Sequence, residues 1–140
     1  MGLRNGTFLF LVSILVLSGL QAVDSNARDF VGVEFKEINA KGYPVVSVTN
    51  LTDKAIDDIR GGFVMEDLDG NTLFRTGQTE AVPGSVFLEA REVKDWVPYG
   101  LNRKPELMER LRSRPESVRF YFDAQSITYM DGSKETRLGP

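Results

Sequence analysis

Short segments in which apolar and polar residues alternate run through most of this chain and constrain its fold more than any other feature. In the first segment Val31, Val33 and Phe35 are separated by Gly32 and Glu34, which is the spacing of a strand with one buried face. Further segments of this kind occupy residues 45–49, 59–68, 72–76, 85–93, 118–129 and 133–138. Turn signals separate several of them, at residues 69–71, 83–84 and 131–132. The pattern predicts about seven short antiparallel strands packed as an all-β sandwich.

Two places depart from the alternation. In residues 105–114, Leu107, Met108 and Leu111 follow a helical spacing, with a proline at the start and another just after the end. This arrangement predicts one short amphipathic helix in a crossover between strands. A glycine pair at residues 61–62 lies inside the third segment, and it predicts a bulge or the close approach of a neighbouring backbone.

The N-terminal segment has the layout of a secretory signal peptide. A lone arginine precedes an apolar stretch at residues 7–20, and small residues follow, with Ala22 and Ala27 as cleavage points. Cleavage after Ala27 divides the chain into a signal peptide, residues 1–27, and one domain, residues 28–140. We therefore expect a periplasmic or secreted domain. The alternative is an uncleaved N-terminal membrane anchor, because the apolar run approaches the roughly 20 residues that a membrane-spanning helix needs.

The absence of two residue types narrows the function. Cysteine and histidine do not occur among the 140 residues. An exported domain without cysteine forms no disulfide and must be held by packing. Without histidine there is no Ser-His-Asp or Cys-His nucleophile system and no ordinary zinc, copper or haem site. The charges are interspersed, with a net charge of −3, which disfavours nucleic acid as a partner. We expect a protein that is not an enzyme and has no cofactor.

Several features between residues 45 and 93 occur together in one kind of domain. Asn50 ends the second strand, an apolar strand follows at residues 63–67, and Gly70 closes its turn. In these features the segment resembles the exported immunoglobulin-like domains of bacteria, and the FxLYD-type domains are the nearest of these. Met65 and Glu66 stand where the family has its Leu-Tyr pair. The resemblance implies an exported immunoglobulin-like sandwich that serves as an accessory or interaction module, without catalytic residues.

The loop after residue 95 and the helix that follows contain the candidate binding residues. Trp96 and Tyr99 form an aromatic loop, and such side chains stack on sugars or anchor an apolar group of a partner. The competing interpretation is that Trp96 closes the core. The basic residues Arg103, Lys104 and Arg110 are suited to an acidic partner or to anionic lipid headgroups. Glutamates are interleaved with them, which favours a solvated helix face with ion pairs.

Residues 67–71 are the most site-like turn. Asp67, Asp69 and Asn71 alternate like the first ligands of a calcium loop. The glycine stands at the fourth position instead of the sixth, so a plain hairpin turn is the favoured interpretation and a metal site the weaker one. A segment beginning at Asn50 also matches the glycosylation sequon.

These features together predict an exported, non-catalytic binding module. Its partner would be another envelope or extracellular protein, engaged through a sheet edge or through the crossover at residues 96–114. One alternative is a sugar- or surface-binding adhesion module that uses Trp96 and Tyr99. The other is a metal-assisted hydrolase that uses Asp67 and Asp69. Contact with a membrane is expected only if the N-terminal segment stays uncleaved.

Overall fold

The computed structural model describes residues 27–77 and 88–136, so the predicted signal peptide lies outside these residues except for its last residue, Ala27. Seven strands and one α-helix make up the described part. The strands are β1 (Val31–Ile38), β2 (Pro44–Asn50), β3 (Ile56–Asp67), β4 (Thr72–Arg75), β5 (Val93–Trp96), β6 (Val118–Tyr129) and β7 (Lys134–Thr136). The helix, α1 (Pro105–Ser113), lies between β5 and β6. Among the described residues no helix is both long and apolar enough to cross a bilayer.

The strands form two antiparallel sheets. One has the order β1-β2-β5 and the other the order β4-β3-β6-β7. The chain therefore crosses between the sheets three times, after β2, after β4 and after β5. This order is that of an immunoglobulin-like sandwich, in which the fourth strand pairs with the third. The predicted fold class is confirmed, with α1 in the last crossover.

The core lies between the sheets and follows from the alternation in the sequence. Val46 and Val48 of β2 are buried there in one cluster with Phe63 and Met65 of β3 from the opposite sheet. Met108 and Leu111 of α1 are buried in the same cluster. Because large apolar side chains contribute about 1.5–3 kcal/mol each when fully buried, this cluster supplies the main stabilisation in a chain without disulfides.

The predicted bulge at the glycine pair is confirmed. The register of β3 against β6 shifts between Arg60 and Gly61. A Cβ on Gly61 would lie 2.1 Å from the carbonyl oxygen of Asp123, so the neighbouring backbone approaches closely as well. Glycine is required here because no side-chain atom fits in that space.

The fifth strand differs from its prediction. The alternation predicts a strand over residues 85–93, whereas β5 begins only at Val93. Residues 89–92 form a turn in which the Glu92 N–H donates to the Glu89 carbonyl at 3.0 Å. The Glu92 carboxylate also accepts from the Glu89 N–H at 2.7 Å, and Arg91 has a φ of 64°. Local hydrogen bonds of this kind compete with strand pairing. Residues 78–87, with the predicted Pro83-Gly84 turn, lie outside the described residues.

Asn50 ties the end of β2 to the segment after residue 87. Its side chain has no exposed surface, and Nδ2 donates to the carbonyls of Lys54 at 2.8 Å, Glu89 at 3.0 Å and Leu88 at 3.3 Å. Oδ1 accepts from the N–H and the hydroxyl of Thr52. A glycan on Nδ2 is incompatible with this arrangement, so the sequon at Asn50 is a structural element of the fold.

Candidate functional site

A groove lies at one end of the sandwich, between the β1–β2 turn and the loop that joins β5 to α1. Its volume is about 280 Å³. It is lined by Tyr43 from the β1–β2 turn and by Val97, Pro98, Tyr99, Gly100, Asn102 and Arg103 from the loop. We call these seven residues the Tyr99 groove. Its lining combines two tyrosines, a valine and a proline with Asn102 and one charged side chain, Arg103.

Backbone features of the loop project Tyr99 outwards. Leu101 has no exposed surface and anchors the loop in the core. Gly100 has a φ of 84°, a left-handed conformation that glycine adopts without a steric penalty. A 3₁₀ turn, Leu101–Arg103, follows, and the Lys104 N–H donates to the Leu101 carbonyl at 3.1 Å. Tyr99 is held next to a fixed point of the core and is still 63% exposed.

The guanidinium of Arg103 lies over the ring of Tyr99. Its Cζ is 5.4 Å from the ring centroid, within the range of a cation–π contact. Among the described residues no carboxylate forms an ion pair with Arg103 or with the exposed Lys104. Arg75 is different, because it pairs with Asp123 at 2.8 Å. The sequence prediction named Tyr99, Arg103 and Lys104, and the structure places these three on one loop.

Trp96 lies in the core instead of on the binding surface. It is 7% exposed and meets Phe63 edge to face, with ring centroids 5.1 Å apart and an interplanar angle of 75°. The Trp96 Nε1–H has no hydrogen-bond partner among the described residues. A partner cannot stack on an indole that is covered in this way. The binding role suggested for Trp96 is therefore corrected, and its competing interpretation as a core residue is adopted.

Arg110 is also directed away from the groove. It is half-buried on α1, where Nε donates to the Ser117 hydroxyl at 2.9 Å and Nη2 donates to the Ser117 carbonyl at 3.4 Å. These bonds fix the end of the helix to the start of β6. Arg112 of the same helix lies 3.9 Å from Glu109. Arg112 therefore pairs with a glutamate of its own helix, as the interleaved glutamates predicted, whereas Arg110 bonds to Ser117 and not to a glutamate.

Tyr43 is the groove residue that the sequence analysis missed. It is 39% exposed and lies next to Pro44, the first residue of β2. The N–H groups of Lys41 and Tyr43 both donate to the Asn39 side chain at 3.0 Å, which holds the turn. The sequence feature that could have identified Tyr43 is an aromatic residue inside a predicted turn. Only the tertiary fold places that turn beside a loop more than 50 residues away.

The carboxylate of Asp67 accepts hydrogen bonds from residues of its own turn. Oδ1 accepts from the N–H groups of Asp69 at 3.0 Å and Asn71 at 2.8 Å, and Oδ2 accepts from Asn71 Nδ2 at 2.9 Å. The bond from the Asn71 side chain, followed by the bond from its N–H, lowers the pKa of Asp67 below its ordinary value of 3.8. Among the described residues no three acidic side chains are grouped so as to hold a metal ion. The geometry favours the hairpin interpretation of this turn.

A second, larger cleft of about 490 Å³ opens between β1 and the start of β6. Phe35 and Phe120 lie in its lining with ring centroids 6.2 Å apart. Arg28 lies 3.2 Å from Glu66 and 4.0 Å from the ring centroid of Tyr121. Arg28 at this cleft therefore has a carboxylate partner within the domain, whereas Arg103 of the Tyr99 groove has none among the described residues.

Comparison with known proteins does not assign the chain to a group. No family model, no curated protein and no solved structure matches it. The resemblance to FxLYD-type domains therefore stays a prediction, and the function must be argued from the geometry of the site.

Proposed function

We propose that this protein is an exported, non-catalytic binding module that engages another envelope or extracellular protein through the Tyr99 groove. The observation that carries the proposal is the position of Tyr99, which is 63% exposed beside a groove whose other aromatic wall is Tyr43. The N-terminal sequence pattern and the resemblance to exported immunoglobulin-like domains support the location.

The side chains of the groove are those that dominate protein interfaces. Tyrosine and arginine are enriched among residues that contribute most to binding, and tyrosine provides a large contact area at low cost in conformational entropy. Tyr99, Tyr43 and the 37% exposed Val97 leave apolar surface in water. Covering that surface with a partner is favourable, by about 25 cal/mol for each Å² of apolar area buried.

The size of the groove favours a polypeptide partner. Its volume of about 280 Å³ is below the roughly 300–1,000 Å³ of most small-molecule pockets. A recess of this size accepts one or two protruding side chains of a polypeptide. Arg103 is its only charged lining residue among the described residues, and the side chains that usually serve as general acids or bases, such as histidine, glutamate and aspartate, do not line it.

Site-specific photocross-linking in the exporting cell tests this proposal. A photoreactive phenylalanine analogue replaces Tyr99 in one variant and Met130 in a matched control. Met130 is 57% exposed, and it lies in the turn after β6 with its N–H bonded to Ala55, beyond the far end of β2. We expect the analogue at position 99 to form a discrete protein adduct, and the analogue at position 130 to form none. Adding Tyr43→Ser to the position-99 variant should reduce the yield of this adduct.

Three outcomes would contradict the proposal. The first is the same adduct from both positions, and the second is an adduct that Tyr43→Ser leaves unchanged. The third is an adduct that contains glycan and no protein, which would support the sugar-binding alternative. Thermal unfolding of each variant shows whether the domain is still folded.

A further inference from the structure

We propose that the Tyr99 groove selects acidic polypeptide segments, in which an apolar side chain enters the groove and a neighbouring aspartate or glutamate pairs with Arg103. This inference rests on the proposed function and names the chemistry of its partner. It is carried by the charge of the groove and by the position of the guanidinium.

The charge of the groove is opposite to that of the chain. The whole sequence has a net charge of −3, yet the lining includes Arg103 and no carboxylate. Lys104 directly follows the lining residues and is exposed, and Lys41 is exposed two residues before Tyr43. None of these three cations forms an ion pair with a carboxylate of the described residues.

Most other cations of the described residues lie in ion pairs. Lys36 lies 2.6 Å from Asp95, and Lys54 lies 3.2 Å from Asp131. Ion pairs of this kind hold seven of the described cations, whereas Arg103 in the lining of the groove and the neighbouring Lys104 have no carboxylate partner among the described residues. Complementary charge across an interface raises association rates and suppresses wrong partners, so a negative partner is the one that this surface favours.

The geometry of Arg103 is suited to a carboxylate. Its Cζ is 5.4 Å from the centroid of Tyr99, within reach of a cation–π contact, and the edge of the planar guanidinium carries the N–H groups. A carboxylate accepts two parallel hydrogen bonds from this edge.

A concave groove also favours a peptide over a membrane surface. Along α1 a flat anionic bilayer would meet cations that already hold local contacts, since Arg112 lies 3.9 Å from Glu109 and Arg110 donates to Ser117. The positive charge of Arg103 is instead concentrated at a recess of about 280 Å³. A protruding side chain with a flanking carboxylate can enter this recess, whereas a bilayer surface cannot.

A displayed library of random 12-residue peptides, selected on the folded full-length chain, tests the inference. Arg103→Glu is the test variant, and Arg112→Glu is a control with the same change in net charge at an exposed position outside the groove. Tyr99→Ala removes the aromatic wall. We expect wild type and Arg112→Glu to enrich peptides with an aspartate or glutamate beside an aromatic residue or proline. Arg103→Glu should weaken those peptides about tenfold or more, the size of change typical of a hot-spot residue.

The outcomes separate this inference from the proposed function. Selected peptides that need Tyr99 but contain no excess of acidic residues, or that bind Arg103→Glu as well as wild type, would overturn the charge inference and leave the proposed function intact. No enrichment over Tyr99→Ala would overturn both. A third outcome is that no peptide is selected, while wild type binds vesicles containing anionic lipid and Arg103→Glu does not. This result would identify a membrane surface as the partner and overturn the inference.

Discussion

Gly61 and Asp123 pack backbone against backbone in the β3–β6 pair, where a Cβ on Gly61 would lie 2.1 Å from the Asp123 carbonyl oxygen. The contact lies at the bulge, where the register passes from Gly61↔Ala124 to Arg60↔Ser126 and leaves Gln125 unpaired. An extra residue reverses which side chains of a strand are directed inwards. In β6, Phe122 is buried in the core before the bulge and Ile127 after it.

Gly61→Ala should be the most damaging small substitution in the domain. The new methyl group collides with the neighbouring backbone, and we expect the free energy of unfolding to fall by about 3 kcal/mol or more. Gly42→Ala is the control, because Gly42 has a φ of 80° and a methyl group added there would meet no atom within 4 Å. It should cost only about 1–2 kcal/mol. Urea unfolding followed by Trp96 fluorescence measures both, and equal losses would contradict the close-contact argument.

Asn50→Asp should destabilise the domain although the two side chains have the same shape. A carboxylate cannot donate to the carbonyls of Lys54, Leu88 and Glu89, and it would place a charge at a site with no exposed surface. We expect a loss of about 3 kcal/mol. At Asn39 the side chain accepts from two N–H groups, so Asn39→Asp keeps these bonds and should change stability by less than about 0.5 kcal/mol. Urea unfolding compares the two variants, and equal midpoints would refute the role of the Asn50 amide as a donor.

The turn after β6 should lose its stabilising contribution in acid. The hydroxyl and N–H of Ser133, and then Lys54, lower the pKa of Asp131 from 3.8 to about 2. Because the folded state holds this proton less tightly than the unfolded state, the stabilisation is complete above about pH 4 and is lost as the pH falls towards 2. Asp131→Asn should therefore lower the melting temperature at pH 6 and have little effect at pH 2. The exposed Asp57→Asn is the control, and a difference that persists at pH 2 would refute this assignment.

Truncation should lower stability much more at Trp96 than at Tyr99, although only three positions separate them. Trp96→Ala removes a ring that is 7% exposed and packed on Phe63, and it should cost about 3–5 kcal/mol in stability. Tyr99→Ala removes an exposed ring and should change stability by about 0.5 kcal/mol or less. Circular dichroism follows both variants, since Trp96 is the only tryptophan. Acrylamide should quench the native indole weakly, and strong quenching would show that Trp96 is accessible.

The sheets were largely predictable because their signal is local. Alternation in residues 118–129 identified β6, and the glycine pair at 61–62 identified the bulge, since both depend on the period of a strand. The strand predicted over residues 85–93 was partly wrong. There the turn of residues 89–92 is set by hydrogen bonds between Glu89 and Glu92, and these compete with a strand-like pattern that spans the same residues.

The groove was only partly predictable because its walls are distant in the sequence. Tyr99 and Arg103 stood out as a loop aromatic beside a cation, but nothing local linked them to Tyr43. The sequence also left the location of Trp96 undecided, since an aromatic residue at the end of a strand suits either a binding surface or a core. The distinction depends on whether Phe63 of the other sheet meets the ring, which is a tertiary contact.

Residue type and spacing were sufficient to predict an antiparallel sandwich with one crossover helix and no histidine or cysteine chemistry, because they specify strand faces and chemical groups directly. Which polar groups are already hydrogen-bonded within the domain could be read only from the packed fold. It placed the amide of Asn50 and the carboxylate of Asp67 in internal hydrogen bonds. It left Arg103 over Tyr99 without a carboxylate among the described residues, since pairing depends on distances that only the packed sheets establish.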